Sequence, residues 1–171
     1  MALPTFQDRE VTTVFSAACM TTPDRLIKVD CRTPSCVRDM KGYVVLLERE
    51  TKKNADFRRV LYTGKQSQLV LMSLKPGEEI GEETHENVDQ FFRFEGGEGK
   101  VIIDGVEHRV KDGNGVIVPA GARHNVVNTS KRANLRLYTI YSPPEHQDGV
   151  VRHTRKEAMA SEEHFDGRTT E

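Results

Sequence analysis

The sequence has almost no excess of charge of either sign. Its 171 residues include 25 lysines and arginines against 26 aspartates and glutamates, which gives a formal net charge of -1. Proteins that bind nucleic acid or anionic membranes generally carry an excess of positive charge. The balance therefore gives no reason to expect either partner, and no DNA-binding helix pattern is visible.

Long apolar segments are also missing. No apolar run approaches the ~20 residues that a membrane-spanning helix needs. The first ten residues lack the apolar core of a signal peptide, and their acidic residues, Asp8 and Glu10, argue against a mitochondrial presequence. We therefore expect a cytoplasmic protein.

Cysteine is scarce and confined to the first quarter of the chain. The three cysteines are Cys19, Cys31 and Cys36, an odd number with no repeated spacing. Such a set does not predict a disulfide framework, and no further ligands for a zinc site are evident near Cys31 and Cys36. We expect free thiols in a reducing compartment.

Changes in composition divide the chain into three parts. Residues 1–41 lack a regular pattern, and we expect an N-terminal extension that packs on the rest of the protein, with short strands or a helix near Asp8–Met20. Residues 42–144 have the short apolar runs and turn residues of a β-barrel. Residues 145–171 form a polar C-terminal tail, which is compatible with a short helix near Arg155–Ala160 and otherwise expected to be loose.

Short apolar runs between turn residues predict the strands of the central part. The predicted strands are Tyr43–Leu47, Phe57–Tyr62, Gln68–Leu74, Val101–Ile103, Glu107–Val110, Val116–Val118 and Leu135–Tyr141. Asp104-Gly105, which separates two of them, is typical of a tight hairpin turn. The sequence does not show which face of the last strand points inward.

Two stretches combine metal-ligand side chains with turn residues at fixed spacing. The first is Gly77-x5-Glu83-x-His85-x4-Gln90-x6-Gly97, and the second is Gly113-x5-Pro119-x-Gly121-x2-His124-x3-Asn128. In an extended strand, residues two apart point to the same face, so Glu83 and His85 project together. Gln90 begins the next strand after a short turn, and His124 opens a strand in the second stretch. Two such hairpins packed together would bring these four side chains to one point.

This arrangement resembles the two motifs of the cupin family, usually written G-x5-H-x-H-x3-4-E-x6-G and G-x5-P-x-G-x2-H-x3-N. The match covers residues 77–128, and hydrophobic patterning extends it over roughly 57–142. The second motif is present in full. In the first, Glu83 stands in place of the first histidine and Gln90 in place of the glutamate. The resemblance implies an all-β fold, a double-stranded β-helix or jelly-roll barrel, with a metal inside the barrel mouth.

The two departures keep the ligand charge but move it along the chain. Glu83 supplies the single negative charge, whereas His85, Gln90 and His124 are neutral. Two imidazole nitrogens and two oxygens suit one divalent transition metal, namely Fe, Mn, Ni or Zn. Without Gln90, the set has the composition of the two-histidine, one-carboxylate triad of non-haem iron oxygenases. Gln90 is then a weak fourth ligand or a donor that orients water.

The same residues are also compatible with a barrel that holds no metal. Glu83 belongs to the acidic segment 78–83 and would then be one more solvated charge, while Gln90 would be a core amide with satisfied hydrogen bonds. If Glu83 were instead buried without a metal, it would need a proton or an imidazolium partner, because an unpaired buried charge is unfavourable.

Two classes of function use these four side chains. In the first, the protein is a metal-dependent enzyme, of oxygenase or sugar-isomerase type, that acts on a small oxygenated molecule. Glu83 is then the candidate catalytic base if it is not a ligand. In the second, the barrel binds a small molecule without turnover. The fold does not decide between them, because one fold supports many functions.

Several other polar residues are interpreted as structural or solvated. We expect Asn128 to close a turn through its own side chain. The histidines outside the two motifs are expected to face solvent: His108, His146, His153 and His164. Met72 and Tyr141 are candidate pocket walls.

An apolar outer surface predicts assembly. Phe91 shares a predicted outward face with Arg93, and the N-terminal segment carries Phe6, Val14 and Phe15. An exposed apolar face usually marks an interface. We therefore expect a homodimer.

Overall fold

The computed structural model describes residues 42–161 and 163–171. The predicted N-terminal extension, with its expected short strands or helix near Asp8–Met20 and all three cysteines, lies outside the described residues. Within the described ranges, no helix combines the length and the apolar character that crossing a membrane requires.

The described part of the chain is mainly β-structure with two short helices. In chain order the elements are α1 (Leu47–Lys53), β1 (Arg58–Thr63), β2 (Gln68–Leu74), β3 (Asp89–Gly96), β4 (Glu98–Ile103), β5 (Val106–Lys111), β6 (Gly115–Val118), β7 (His124–Asn128), β8 (Leu135–Ser142), β9 (Val151–Arg152) and α2 (Arg155–Ala160). The predicted strands from Phe57 to Tyr141 are therefore confirmed to within a few residues at their ends.

The strands form two antiparallel sheets. The larger has the order β6-β3-β8-β2-β1-β9, and the smaller has the order β5-β4-β7. Neighbours in these sheets are mostly distant in sequence, as in a double-stranded β-helix, whereas the β4–β5 pair is a local hairpin. Its turn places Asp104 at φ 47° and Gly105 at φ 84°, the two positive angles of the predicted tight turn. The jelly-roll barrel predicted from the sequence is confirmed.

The inner face of β8 is now defined. Leu135, Leu137, Thr139 and Tyr141 are all buried, and the residues between them are partly exposed. On the neighbouring strand β3, alternate residues are likewise buried, because strand side chains alternate between the two faces of a sheet. Each large apolar side chain removed from water in this way contributes about 1.5–3 kcal/mol to folding. The barrel interior is thus mainly apolar, with a smaller number of buried polar side chains that include Gln90, His124 and Thr139.

The predicted strand at Tyr43–Leu47 is wrong. Residues 43–46 have no regular structure, and a helix begins at Leu47. The residues that follow Leu47 are mostly good helix formers, with acidic residues in the first turn and basic residues in the last, which favours the helix macrodipole. Val44 and Leu46 are exposed, so this apolar run does not enter the barrel core.

The C-terminal residues are packed rather than loose. Strand β9 pairs with β1, and the predicted helix at Arg155–Ala160 is present, with the Thr154 hydroxyl accepting a hydrogen bond from the Glu157 N–H. Near the end of the chain, the Thr170 N–H donates to the Thr63 carbonyl at 2.9 Å. Backbone hydrogen bonds of this kind do not require a periodic pattern of apolar residues, so the sequence alone does not reveal them.

Asn128 has the structural role that was predicted. Its side-chain amide donates to the carbonyls of Leu74, Lys75 and Ala133, each at 2.9 Å. Its side-chain oxygen accepts from the Ser130 N–H. One buried side chain therefore ties the end of β7 to two other chain segments at the base of the barrel.

Candidate metal centre

Glu83 and His124 are held side by side by their backbones. The Glu83 N–H donates to the His124 carbonyl, and the His124 N–H donates to the Glu83 carbonyl, both at 2.9 Å. A reciprocal pair of this kind in antiparallel strands points the two side chains to the same face of the sheet. The two sequence motifs therefore interlock directly at these two residues.

His85 is fixed by the second motif as well. It lies two residues after Glu83, and its carbonyl accepts a hydrogen bond from the Gly121 N–H at 2.9 Å. Gly121 has φ +81°, in the left-handed region that glycine adopts without steric strain. A turn residue of one motif thus positions a candidate ligand of the other.

The three candidate ligands meet at the barrel mouth. Glu83 Oε2 lies 3.5 Å from His85 Nε2, and the His85 and His124 rings have centroids 5.6 Å apart. One ligand atom from each residue lies within 4.8 Å of the other two. Two atoms bound to one ion at about 2.1 Å are separated by roughly 3.0–3.4 Å in tetrahedral or octahedral geometry. Small side-chain movements would therefore let all three residues contact one ion.

Gln90 occupies the inner face of β3 near this cluster. The next residue on that face, Phe92, has its ring centroid 5.9 Å from that of His124. The Gln90 amide nitrogen donates to the Thr139 hydroxyl at 3.1 Å. This bond leaves the side-chain oxygen as the free donor atom. Gln90 is therefore a buried amide whose oxygen makes no hydrogen bond within the described residues, so the alternative of a core amide with all its hydrogen bonds satisfied does not hold.

Three buried atoms of the candidate ligands make no hydrogen bond of normal geometry within the described residues. They are His85 Nε2, Gln90 Oε1 and His124 Nε2. A buried polar atom without a partner costs about 1–3 kcal/mol, and native proteins keep few of them. All three are atoms that bind divalent transition metals. The residues present thus fit a bound metal ion.

Each histidine presents the correct nitrogen to such an ion. His124 Nδ1 lies 3.2 Å from the Ala122 carbonyl oxygen, and His85 Nδ1 lies 3.6 Å from Glu145 Oε1. An oxygen at Nδ1 favours the tautomer that carries its proton there, which leaves the Nε2 lone pair available for a metal.

The cluster is electrostatically paired in the metal-free protein. Burial lowers the pKa of His85, but hydrogen bonds to Glu145 and Glu83 outweigh it and raise that pKa to about 9. Burial raises the pKa of Glu83, but His85 and the Arg58 charge outweigh it and hold that pKa below its usual value. Glu83 is therefore a carboxylate paired with an imidazolium, whereas burial lowers the pKa of His124. Of the sequence alternatives, a solvated Glu83 is wrong.

A pocket of about 360 Å³ adjoins the cluster. Its walls include Glu83 and His85, together with Arg58, Glu145 and His146. The expectation that His146 faces solvent is wrong, because this residue is only 6% exposed. Its ring packs edge-on against Tyr141, with centroids 5.1 Å apart. Burial, with the nearby Arg58 charge, lowers the pKa of His146 to about 3, so the imidazole is neutral.

The other histidines have the exposure that was predicted. His108, His153 and His164 are exposed. The candidate walls Met72 and Tyr141 are both buried at 1% exposure, and the Tyr141 ring lies edge-on to His85 as well, with centroids 5.8 Å apart.

Arg58, Glu145 and His146 were missed because no spacing rule links them to the two motifs. One signal was present for Arg58. It shares the inward face of β1 with Val60, and a charged side chain at an inward strand position is unusual. Glu145 and His146 follow two prolines at the end of β8, where the sequence carries no indication that the chain turns back over the barrel mouth.

Comparison with known proteins agrees with this architecture. A family model described as a cupin domain matches residues 70–141. The uncharacterized protein YrkC of Bacillus subtilis is 46% identical over 129 residues, which are 72% of this chain and 69% of that protein. An uncharacterized protein of Acanthamoeba polyphaga mimivirus is 42% identical over 113 residues, which are 64% of this chain and 70% of that protein.

Solved structures lead to the same conclusion. A crystal structure of a Bacillus halodurans protein aligns with a TM-score of 0.69 at 43% identity, covering 71% of this chain and 96% of that one. A Thermus thermophilus protein shares the fold at a TM-score of 0.53 and 24% identity, covering 58% of this chain and 96% of that one. With the motifs, the barrel and these relatives in agreement, the chain belongs to the cupin family.

Proposed function

We propose that the protein is a metal-dependent enzyme that acts on a small oxygenated molecule at the barrel mouth. The observation that carries this proposal is the convergence of Glu83, His85 and His124, whose ligand atoms lie within 4.8 Å of one another. Beside them, Gln90 Oε1 and His124 Nε2 are buried and make no hydrogen bond within the described residues. A core built only for stability would have replaced such atoms or paired them.

One divalent transition metal, Fe, Mn, Ni or Zn, would be held by Glu83, His85 and His124, with the Gln90 oxygen as a weaker fourth donor. When bound, an ion of this kind supplies Lewis-acid chemistry toward a substrate oxygen, which suits a reaction of the isomerase type. Iron would also supply oxygenase chemistry. The choice between these two reaction types follows from the identity of the metal.

The protein's own residues orient the site and limit access of water. The Thr139 hydroxyl holds the Gln90 amide so that its oxygen points away from that bond. Glu145 fixes the ring of His85 from behind. Tyr141 forms a buried wall between His85 and His146. These contacts keep the donor atoms in place before any ligand arrives, which lowers the reorganisation that binding requires.

Glu83 is proposed as a ligand first and as a catalytic base second. An efficient base has a pKa near the working pH, whereas the pKa of Glu83 lies below its ordinary value. A carboxylate that stays ionised is instead well suited to hold a cation. The base role proposed for Glu83 would then apply only in a state in which the carboxylate leaves the ion.

Elemental analysis of the protein purified without added metal tests the proposal. The expected result is about one divalent metal per chain in the wild-type protein and almost none in His124→Ala. His108→Ala is the matched control, because His108 is an exposed histidine on β5 and should leave the metal content unchanged. A folded wild-type protein that takes up no divalent metal, or full metal retention in His124→Ala, would contradict the proposal.

The alternative function is a barrel that binds a small molecule without turnover. The pairing of Glu83 with a protonated His85 favours it, because this pair satisfies the carboxylate without an ion. The two functions differ in what the metal does. A binding barrel should take up its ligand equally well after treatment with a chelator, whereas the proposed enzyme should not.

We also propose that the protein forms a homodimer through the outer face of the larger sheet. Phe91 and Tyr138 lie together on this face, with ring centroids 6.3 Å apart, and Ile117, the register partner of Phe91, is 70% exposed. Contiguous apolar surface of this kind usually marks an interface. Light scattering at micromolar concentration should give the dimer mass for the wild-type protein and the monomer mass for Ile117→Lys.

A further inference from the structure

The pocket beside the metal cluster contains a buried guanidinium whose hydrogen-bonding capacity is largely unused by the part of the chain that the structure describes. The Arg58 side chain is 11% exposed, and its one ion pair among the described residues is with Glu83 Oε1, at 3.8 Å. Its Nε is buried and makes no hydrogen bond of normal geometry within the same residues. A guanidinium has five N–H donors, so a single long contact leaves most of them free.

This arrangement is unfavourable unless a further group completes it. A buried charge with unpaired donors destabilises the fold, and Arg58 occupies an inward position where an apolar residue would normally be found. The planar fork of a guanidinium matches a carboxylate, which it binds through two parallel hydrogen bonds. Glu83 does not fill that role, since only one of its oxygens approaches Arg58 and the other lies nearest His85.

His146 is a second unpartnered side chain in the same pocket. It is 6% exposed, and neither ring nitrogen makes a hydrogen bond of normal geometry within the described part of the chain. A neutral imidazole offers one N–H donor and one acceptor lone pair. Arg58 and His146 therefore present unused polar groups to one small space next to the metal cluster.

The net charge of the pocket indicates the charge of the ligand that it would bind. Glu83 and Glu145 contribute two negative charges and Arg58 contributes one positive charge. Glu163 is paired with Arg152 and adds no free charge. With a divalent ion bound and both histidine ligands neutral, the pocket carries one net positive charge, which suits a monoanion better than a phosphate dianion.

We propose that Arg58 binds the carboxylate of a small hydroxy- or oxo-carboxylate substrate, whose second oxygen faces the metal cluster. This inference rests on the proposed function and names its substrate class. The pocket volume of about 360 Å³ corresponds to about a dozen water molecules at about 30 Å³ each in the liquid, which leaves room for a small carboxylate beside the bound ion. His146 supplies a further hydrogen bond to the ligand.

Calorimetric titration of glycolate into the Zn(II)-loaded protein tests the inference. Arg58→Gln should weaken glycolate binding at least about tenfold, because charge-assisted bidentate hydrogen bonds are lost. The same variant should bind zinc at least as tightly as the wild-type protein, since a positive charge near the ion is removed. Arg59→Gln is the matched control, because Arg59 is exposed on the opposite face of β1 and should change neither quantity.

The neutral analogue ethylene glycol and inorganic phosphate complete the experiment. Ethylene glycol should bind weakly and equally to the wild-type protein and Arg58→Gln. Equal glycolate affinity in those two proteins, no glycolate binding by the loaded wild-type protein, or tighter binding of phosphate than of glycolate would each overturn the inference. A wild-type protein that takes up none of the divalent ions of zinc, iron, manganese and nickel would instead refute the proposed function, so the two failures are distinct.

Arg58→Lys provides a second variant if Arg58→Gln does not fold. Lysine keeps the positive charge but lacks the planar fork, so glycolate binding should still weaken while zinc binding stays at the wild-type level. Unchanged glycolate affinity in Arg58→Lys would show that charge alone is recognised and would refute bidentate binding of a carboxylate.

Discussion

Two sides of the candidate site, the motif wall and the C-terminal wall, reach their positions by different means. The motif wall, formed by Glu83, His85, Gln90 and His124, is assembled by backbone pairing between the two motifs. The C-terminal wall, formed by Glu145 and His146, reaches the site because the chain after β8 turns back over the barrel mouth. The difference indicates that spacing within two short motifs is enough to identify the candidate metal ligands, whereas the positions of the groups around them depend on the path of the chain after β8.

Removal of the single ligand charge should have the largest effect on the motif wall. Glu83→Gln leaves four neutral donors around a divalent ion, so metal affinity should fall at least about a hundredfold. This loss is larger than the loss expected when a residue that only orients a ligand is replaced. Calorimetry of the metal-stripped protein measures this change. Glu82→Gln is the control, because Glu82 is an exposed neighbour paired only loosely with Arg123. Equal metal affinity in the wild-type protein and Glu83→Gln would mean that the carboxylate ligand is misassigned.

Substitution of Glu145 tests most directly whether the C-terminal wall contributes to metal binding by the motif wall. Glu145→Gln removes the carboxylate behind His85 without touching a ligand, and metal affinity should fall about tenfold to a hundredfold, as for other residues that orient metal-bound histidines. His164→Gln is a suitable control, because His164 contacts the same carboxylate oxygen from the solvent side. If Glu145→Gln bound metal as tightly as the wild-type protein, the C-terminal wall would have no part in the metal site.

The sequence predicted the motif wall better than the C-terminal wall for a physical reason. Side-chain alternation in strands and the turn residues around Glu83 and His124 are local properties, so spacing alone indicates which side chains share a face. The contact between His85 and Glu145 depends on the path of residues 143–150, which no periodicity records. His146 was assigned to solvent for the same reason, since the segment that carries it is polar in composition.

Local composition also gave a wrong prediction for the segment that precedes the first barrel strand. The apolar run at Tyr43–Leu47 has the residues of a buried strand, but Val44 and Leu46 are exposed and a helix follows. For β8 the sequence shows two alternating faces, but it does not show which face points into the barrel, because both faces carry large side chains. The burial of Leu137 and Tyr141 in the folded protein shows that these side chains point inward.

Gln90 should matter less to the metal than either carboxylate. Gln90→Ala removes the weakest of the four donors and leaves Glu83, His85 and His124 in place, so metal affinity should fall about tenfold or less. Gln90→Glu should have the opposite effect, because a second carboxylate strengthens the attraction to a divalent ion. Competition with a chromogenic chelator measures both variants. A loss in Gln90→Ala that equals the loss in Glu83→Gln would show that the amide is a principal ligand.

The metal-free protein should lose stability as the pH rises. The pKa of His85 is raised from an ordinary value of 6.5 to about 9 in the folded state. Its stabilising contribution is therefore fully present below about pH 6.5 and is lost as the pH rises through about 9. Urea unfolding of chelator-treated protein at pH 6 and pH 9.5 measures the loss, and His85→Gln should remove most of it. The metal-loaded protein should show the opposite trend, because a metal binds neutral imidazole.

The smallest effect is expected where the C-terminal residues meet the start of β1 at the surface. His153 Nδ1 lies 2.7 Å from Asp56 Oδ1, and the hydrogen bond to this carboxylate raises the pKa of His153. The pair therefore stabilises the fold below the ordinary histidine pKa, and the contribution is lost as the pH rises above the folded-state pKa. Because His153 is exposed, solvent screens the pair, and His153→Gln should lower stability only slightly at pH 6 and by less at pH 8.5.

Urea unfolding at these two pH values measures that difference, and metal affinity should be the same in both proteins. A large loss of stability or of metal affinity in His153→Gln would mean that this surface pair positions the C-terminal wall. The structure argues otherwise, because the C-terminal residues are also attached to β1 through the backbone. Strand β9 pairs with β1, and the Thr170 N–H donates to the Thr63 carbonyl. Glu145 and His146 are themselves held by hydrogen bonds that do not titrate: His146 exchanges two with the Gln68 side chain, and the Glu145 carbonyl accepts one from the Phe165 N–H. Both residues should therefore keep their positions across the pH range in which His153 loses its proton.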